Sequence, residues 1–208
     1  MMRKETLLKI MELFRKNLDK GLTILQISKK LNIGYRPAYN HINKMNDEKM
    51  ITIKEVGKAK ECSLNLKSEK ARHVLGEVDI IRKEKLYEKE SKLKVILEKL
   101  IKRLSEKYIS EIQSIILFGS YAKGKAKKGS DIDVLFIVGN MKNKELRTDI
   151  ERECVSSEYS HNIKVNPIIT DAAEFRKMLK SEELNVGKEV KEYGIALYGF
   201  EQFWRFIA

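Results

Sequence analysis

The feature that most constrains this chain is a charged loop between two apolar runs, at residues 118–136, which read FGSYAKGKAKKGSDIDVLF. The runs on either side, SIILFGS and DIDVLFIV, predict two strands. Asp131 and Asp133 are two residues apart, so both side chains lie on one face of the second strand, while Ile132 points into the core. Two neighbouring carboxylates repel each other, and burying them unpaired is costly.

A divalent cation would remove this repulsion, and oxygen ligands of this kind suit Mg²⁺ or Mn²⁺. Before the loop, Gly119 lets the backbone approach a ligand closely, and Ser120 offers its hydroxyl and the amides of a following helix to phosphate oxygens. Metal-assisted phosphoryl or nucleotidyl transfer requires such a phosphate site beside a carboxylate pair. The alternative is a solvated charged hairpin without a site.

Gly119 and Ser120, ten further residues, and then Asp131 and Asp133 together resemble the motif of the DNA polymerase β-like nucleotidyltransferase superfamily, most of all its minimal members. The resemblance covers about residues 108–200, including YGIALYG, which is similar to the family's closing strand. It implies that Gly119 and Ser120, with Ser130, bind the phosphates of ATP or another nucleoside triphosphate. It also implies that Asp131 and Asp133 are catalytic and bind Mg²⁺, while an acceptor hydroxyl attacks the α-phosphate and pyrophosphate leaves.

One position departs from the family pattern. The third carboxylate that the resemblance implies falls on the next strand, NIKVNPIIT, where the aligned residue is Asn166. An amide can coordinate a metal through its oxygen but carries no charge and cannot take a proton. Either transfer activity is weakened or lost, or another acid such as Glu158 or Asp171 supplies the function.

The first 66 residues predict helices at residues 4–17 and after the N-cap Thr23, a turn in which Gly34 takes a positive φ, and a helix from Ala38 to about Lys49. Pro37 suits the first turn of that last helix. Two short strands around Gly57 follow. This order resembles a winged helix-turn-helix domain, over about residues 3–66.

In that family, the second helix of the motif enters the major groove of DNA and a β-hairpin wing lies near the backbone. The residues predicted to contact DNA are Tyr35, Arg36, Tyr39, Asn40, Asn43 and Lys44 on the helix, and Lys58 and Lys60 in the wing. Residues 1–66 hold 14 Lys and Arg against 7 Asp and Glu, whereas residues 112–208 hold 15 against 14. The excess positive charge at the N-terminal end favours a polyanion partner. A protein-interaction or dimerisation module is the alternative.

Residues 67–110 predict continuous helix, with leucines at three- and four-residue steps from Leu86 to Leu104. This pattern fits either a connector whose end packs on the next domain or a dimerising coiled coil. We favour a connector with a dimer contact. The aromatic residues Phe203, Trp204 and Phe206 near the C-terminus fit core or interface positions better than base stacking.

Composition adds few constraints. No apolar run is long enough for a membrane span and the N-terminus lacks the pattern of a cleavable signal, which favours a cytoplasmic protein. Cys62 and Cys154 are far apart and lack metal-ligand spacing, as expected of reduced thiols. The richness in Lys and Glu is also typical of proteins from thermophiles.

The sequence therefore predicts an α+β protein with three parts: a winged helix-turn-helix DNA-binding domain (1–66), a helical connector (67–107) and a nucleotidyltransferase-like domain with a mixed sheet and flanking helices (108–208). The predicted function is Mg²⁺-dependent AMP transfer from ATP to a protein or small-molecule hydroxyl, in a homodimer. Minimal members of the family often partner a small helical HEPN-type toxin, so the resemblance also implies an antitoxin-type regulator. The alternative is a transcriptional regulator whose second domain binds a nucleotide or a partner without catalysis.

Overall fold

The computed structural model describes residues 4–57 and 59–208, which divide into two compact units. The first unit ends at Val78, and the second comprises Asp79–Ile207. Each unit has helices and a sheet of its own, so the protein is α+β. Within the described ranges, every helix is too short or too polar to cross a membrane.

The first unit consists of helices followed by a β-hairpin. Its elements are α1 (Lys4–Arg15), β1 (Leu22–Thr23), α2 (Ile24–Leu31), α3 (Tyr35–Asp47), β2 (Ile51–Val56) and β3 (Ala59–Leu64). The strands form an antiparallel sheet in the order β1-β3-β2. The side chains that the helices bury include Ile10, Phe14, Ile27, Ile42 and Met45. The helices and the hairpin occur where the sequence predicts them, whereas β1 was not predicted.

The turn between α2 and α3 differs from the prediction in two respects. Thr23 caps α2 as expected: its hydroxyl accepts a hydrogen bond from the Gln26 amide at 3.2 Å, and the Gln26 side chain accepts one from the Thr23 amide at 2.8 Å. The residue with positive φ is Asn32 (φ 51°), not Gly34 (φ −60°). Asparagine tolerates the left-handed region because its short polar side chain can bond locally. Gly34 instead precedes α3, which begins at Tyr35 rather than Ala38 and so places Pro37 in its first turn.

The helical stretch after the hairpin is two helices rather than one. These are α4 (Glu69–Lys89) and α5 (Ser91–Lys107), separated by Glu90, whose φ of −123° and ψ of 69° interrupt the helix. The boundary between the two units falls inside α4. The leucine-rich face of α5, with Leu93, Leu97, Leu100 and Leu104, is buried in the core of the second unit. The leucine spacing is therefore explained within one chain, and it no longer supports a coiled-coil dimer.

The second unit is built on a four-stranded mixed sheet. After α5 come β4 (Ile112–Phe118), α6 (Gly119–Ala122), β5 (Ile132–Val138), α7 (Lys144–His161), β6 (Val165–Asp171), α8 (Ala172–Lys180), α9 (Val186–Tyr193), β7 (Ile195–Tyr198) and α10 (Phe200–Ile207). The strand order is β6-β5-β4-β7, with β5 and β6 parallel and the other pairs antiparallel. The three predicted strands and the closing strand are all present, in one sheet.

The two faces of this sheet have different surroundings. Ile132, Val134 and Phe136 pack in one cluster with residues of α5 and α7. Because successive strand side chains point to opposite faces, Asp131 and Asp133 lie on the other face. On that second face α9 and α10 contact β4, and α8 contacts β5.

The C-terminal aromatic residues belong to the core. Phe203, Trp204 and Phe206 are buried, and Trp204 Nε1 donates a hydrogen bond of 2.9 Å to Oδ2 of the buried Asp79. Asp79 also forms an ion pair of 3.0 Å with Arg82. These side chains therefore serve packing, and the base-stacking alternative is wrong.

Both cysteines are free and buried, one in each unit. Burial raises the pKa of the Cys62 thiol to about 11 and that of the Cys154 thiol to about 12. Both therefore remain protonated thiols at neutral pH and are poor nucleophiles.

We expect Leu97→Ala to lower the free energy of unfolding of the second unit by about 2–5 kcal/mol, because the substitution leaves a cavity in its core. Val95→Ala on the same helix is the matched control, since Val95 is 54% exposed, and its effect should stay within about 0.5 kcal/mol. Urea unfolding followed by the fluorescence of Trp204, the single tryptophan, measures both. Loss of self-association in Leu97→Ala without loss of stability would contradict this assignment and support the dimer interpretation.

Candidate functional site

The candidate site lies where three neighbouring strands of the second unit meet at one end of the sheet. The end of β4 pairs with the start of β5, placing Phe118 opposite Asp133. The parallel pairing of β5 and β6 places Asp133 opposite Asn166. The topology thus brings together Gly119, Ser120, Asp131, Asp133 and Asn166, which are dispersed over 48 positions of the sequence.

Asn166 joins the two carboxylates. Its Nδ2 donates hydrogen bonds to Asp131 Oδ2 at 3.2 Å and to Asp133 Oδ1 at 3.1 Å, and all three side chains are half-buried. Each bond offsets part of the cost of holding two negative charges side by side away from water. Asn166, which the resemblance aligns with a third carboxylate, therefore lies beside the two aspartates.

Gly119 is required by the close approach of β4 to Asp133. Its φ is +72°, and a Cβ built on it would overlap the carboxylate of Asp133. Any side chain here would displace the carboxylate or the turn. Ser120, the next residue, is half-buried within the four-residue helix α6, and its carbonyl accepts a hydrogen bond of 2.9 Å from the Lys125 amide.

The loop from α6 to β5 has two anchors near the site. Lys123 forms an ion pair of 2.8 Å with Glu189 of α9 and lies over the ring of Tyr193. The hydrogen bond to Glu189 raises the pKa of Lys123, which stays charged. Ser130 Oγ accepts a hydrogen bond of 2.8 Å from the Lys127 amide and so shapes the turn before Asp131. Glu189 and Tyr193 were not predicted, because nothing in the helix pattern of α9 marks residues that reach this loop.

The two other acids considered as replacements differ in position. Asp171 pairs with Val138 at the far end of β5 and accepts a hydrogen bond from the Glu174 amide as the cap of α8. It is five residues along β6 from Asn166, about 16 Å at the rise of a strand, so it cannot act with Asp131 and Asp133. Glu158 lies near the end of α7, which leads into β6, and its role stays a prediction.

The chemistry of this site suits a divalent cation in part. Asp131 and Asp133 provide carboxylate oxygens, the ligands that Mg²⁺ and Mn²⁺ prefer, and Asn166 adds an uncharged amide oxygen. Across residues 4–57 and 59–208, no three His, Cys, Asp or Glu side chains cluster as a metal site, as expected when an amide replaces one carboxylate. The residues therefore fit a metal ion with two charged ligands rather than three.

In the first unit, the predicted DNA-contacting residues of α3 lie outside the stripe formed by its buried residues Ala38, Ile42 and Met45. Two of them, Tyr35 and Tyr39, stack with ring centroids 6.4 Å apart. The residues on this solvent side are Tyr35, Arg36, Tyr39 and Asn40, with Asn43 half-buried and Lys44 exposed. Lys60 is exposed on β3, and Lys58 lies outside the described residues.

Comparison with known proteins identifies the second unit. Residues 97–197 match the family model of the nucleotidyltransferase domain. Two relatives, each named as a candidate protein adenylyltransferase of Methanocaldococcus jannaschii, are each 31% identical to this chain. One alignment covers 56% of this chain and 78% of the relative, and the other covers 48% and 93%. The chain belongs to the nucleotidyltransferase domain family.

Solved structures show more distant similarity. A toxin–antitoxin complex crystallised with AMP-PNP matches 53% of this chain and 83% of that chain, with 22% identity and a TM-score of 0.36. A candidate nucleotidyltransferase from Sulfolobus solfataricus matches 42% of this chain and 77% of that chain, with 28% identity and a TM-score of 0.28.

We expect Gly119→Ala to destabilise the second unit by more than Gly124→Ala, because only the first substitution adds a clash to backbone strain. Both glycines have positive φ, +72° and +65°, but a Cβ at Gly124 has no atom within 4 Å. Gly124→Ala should cost about 1–2 kcal/mol. Urea unfolding followed by Trp204 fluorescence measures both losses of stability. The additional loss in Gly119→Ala comes from the clash with the Asp133 carboxylate. Equal losses would contradict the tight contact.

Proposed function

We propose that this protein transfers AMP from ATP to a hydroxyl group, most simply one on a protein. The observation that carries the proposal is the Asp131 and Asp133 pair facing the Gly119–Ser120 turn, in a chain of the nucleotidyltransferase family. The names of the two relatives favour ATP as the donor and a protein as the acceptor. A small-molecule hydroxyl is the other acceptor class.

Each residue of the site has a defined task in this reaction. Gly119 and Ser120 would bind the β- and γ-phosphates, since the first amides of a helix have no partner within it, Ser120 adds a hydroxyl, and Gly119 has no Cβ. Ser130 holds the turn that leads into Asp131. Asp131 and Asp133 would hold Mg²⁺ or Mn²⁺, which would neutralise charge on the phosphate oxygens.

The bond changes balance without a further reactant. The acceptor oxygen forms a bond to the α-phosphorus, the bond from that phosphorus to the oxygen bridging to the β-phosphate breaks, and pyrophosphate leaves. The hydroxyl proton must pass to an aspartate or to solvent, because Asn166 has no basic oxygen. Loss of a general base typically costs 10²–10⁴-fold in rate, so we infer a slow enzyme.

A second function is favoured by the same asparagine. With Asn166 bonded to both aspartates, the site is held together without a third carboxylate. The second unit could then bind a nucleotide or a partner without turnover, and the protein would be a DNA-binding regulator. Transfer of AMP distinguishes the two functions.

We propose that the first unit is a winged helix-turn-helix domain that binds DNA. The order of α1, β1, α2, α3 and the β2–β3 hairpin fits such a domain, and α3 exposes Arg36 and Asn40, which are suited to base contacts. Lysines such as Lys44 and Lys60 would contact phosphates.

An HEPN-type toxin partner and a homodimer remain predictions, the first resting only on the family resemblance.

We expect slow, Mg²⁺-dependent transfer of label from α-labelled ATP to an acceptor protein by the native chain, and none by Asp131→Ala/Asp133→Ala. Asn166→Asp restores a group that can accept the proton, so it should raise the rate by about 100-fold, the low end of general-base effects. The assay measures labelled product over time, for the chain alone and with each candidate acceptor.

The same variant has a readout that does not depend on the acceptor. Asn166→Asp removes two hydrogen bonds to carboxylates and adds a third charge, so without metal it should be less stable by about 1–3 kcal/mol. Mg²⁺ should raise its melting temperature more than that of the native chain. If Asn166→Asp gains this Mg²⁺ stabilisation yet transfers no label to any acceptor, the regulator alternative replaces the enzyme.

We expect the first unit to bind a mixed-sequence 30-base-pair duplex with strong salt dependence. Lys44→Gln should lower the slope of log affinity against log salt concentration by about 1, because Lys44 is exposed on α3 and its loss would remove one phosphate contact. Lys9→Gln is the matched control, since Lys9 is on α1 and pairs with Glu5. Fluorescence anisotropy of the labelled duplex measures both. Equal effects of the two variants would contradict α3 as the DNA-contacting helix.

A further inference from the structure

The second unit contains a cavity of about 620 Å³ that the proposed reaction does not use. Three segments form its walls: the junction of α4 and α5, the loop after α6, and the end of α7. The lining residues that matter here are Lys89, Lys92, Lys127, Lys128, Tyr121 and His161.

This cavity lies on the opposite face of the sheet from Asp131 and Asp133. Its wall residues Leu93 and Tyr121 belong to the hydrophobic cluster that contains Ile132, together with residues of α5 and α7. Ile132 lies between the two aspartates on β5, and its side chain points the other way. The cavity is therefore separate from the proposed metal and phosphate site.

The net charge on its walls is positive. Within the part of the chain that the structure describes, none of Lys89, Lys92, Lys127 and Lys128 forms an ion pair, whereas Lys107 and Lys123 do. Glu90 is the carboxylate among the lining residues. Four lysines around one concave surface favour an anionic ligand, because such walls concentrate the field in the cavity.

Two further groups in the wall have unused hydrogen-bonding capacity. Tyr121 is only 8% exposed, and its hydroxyl has no hydrogen-bond partner among the described residues. Burial, with the charge of Glu90, raises its pKa, so it remains a donor. In addition, Glu90 makes no side-chain cap for the 17-residue helix α5, and the first two residues of that helix, Ser91 and Lys92, line the cavity.

We propose that this cavity is a second binding site, for a phosphate-bearing small molecule. The lysines, the α5 amides and the Tyr121 hydroxyl supply donors for phosphate oxygens. Leu93, Ala126 and Ile163 supply an apolar wall for an organic part, and the volume is within the range of ordinary small-molecule sites. This inference goes beyond the proposed transfer reaction and does not depend on it.

Occupation of the cavity would act on the proposed active site through the chain itself. Tyr121 directly follows Ser120, and Gly129 precedes Ser130 and Asp131. A ligand that contacts Tyr121, Lys127 and Lys128 would hold both ends of the loop that joins the phosphate turn to the aspartates.

The test uses the full chain carrying Asp131→Ala/Asp133→Ala, in EDTA, so that the metal-dependent site takes no part. Isothermal titration calorimetry with inorganic pyrophosphate and with AMP should show one site whose affinity falls with salt. If AMP binds more tightly than pyrophosphate, the ligand has an organic part that contacts the apolar wall. If pyrophosphate binds more tightly than AMP, the ligand is inorganic. Either result supports a phosphate site.

Matched variants locate that binding. Lys127→Gln/Lys128→Gln should weaken the binding of the probe at least about 10-fold, since it removes donors from the cavity wall. Tyr121→Phe removes one donor and should weaken the binding to a smaller extent. Lys125→Gln/Lys99→Gln removes the same charge from exposed positions that do not line the cavity and should leave the affinity unchanged. Equal weakening by both double variants, or no binding of either probe, would overturn the proposal. So would capture of an acidic peptide by a chain that binds neither probe.

Discussion

The second unit depends on one local problem, the placement of two carboxylates on the same face of β5. Asp131 and Asp133 repel each other, and half-burial raises the cost. Asn166 offsets that cost with two N–H donors, at 3.2 and 3.1 Å. It can do so only because β6 runs parallel to β5 in a register that puts Asn166 opposite Asp133. A parallel pair needs a crossover, and α7 supplies it.

The strand on the other side of β5, β4, sets a second constraint. β4 ends beside Asp133 so closely that residue 119 has no room for a Cβ. The chain must then leave the sheet through a left-handed residue, and it enters α6 at once. Strand pairing thus holds the Gly119–Ser120 turn beside the aspartates, and the anchors at Lys123 and Ser130 add to it in the loop between them.

Much of this could be predicted from sequence, because the decisive signals are local. Apolar runs predict β4 and β5, and the spacing of Gly119, Ser120, Asp131 and Asp133 is chemically specific. The break at Glu90, the positive φ of Asn32 and the pairing of Lys123 with Glu189 were not predicted. Helix propensity is high on both sides of Glu90, and only packing of α5 on the sheet decides where the helix ends. Asn32 and Gly34 can both adopt the left-handed conformation, so the sequence does not show which of them does. The contact between Lys123 and Glu189 joins distant segments and has no periodic pattern in the sequence.

Asn166 also links stability to function. A carboxylate at this position would leave three negative charges together, and the protein would need a cation to relieve them. The amide keeps the site hydrogen-bonded without a cation, but it cannot accept a proton as a carboxylate would. The same substitution therefore makes the fold less dependent on metal and the proposed chemistry slower.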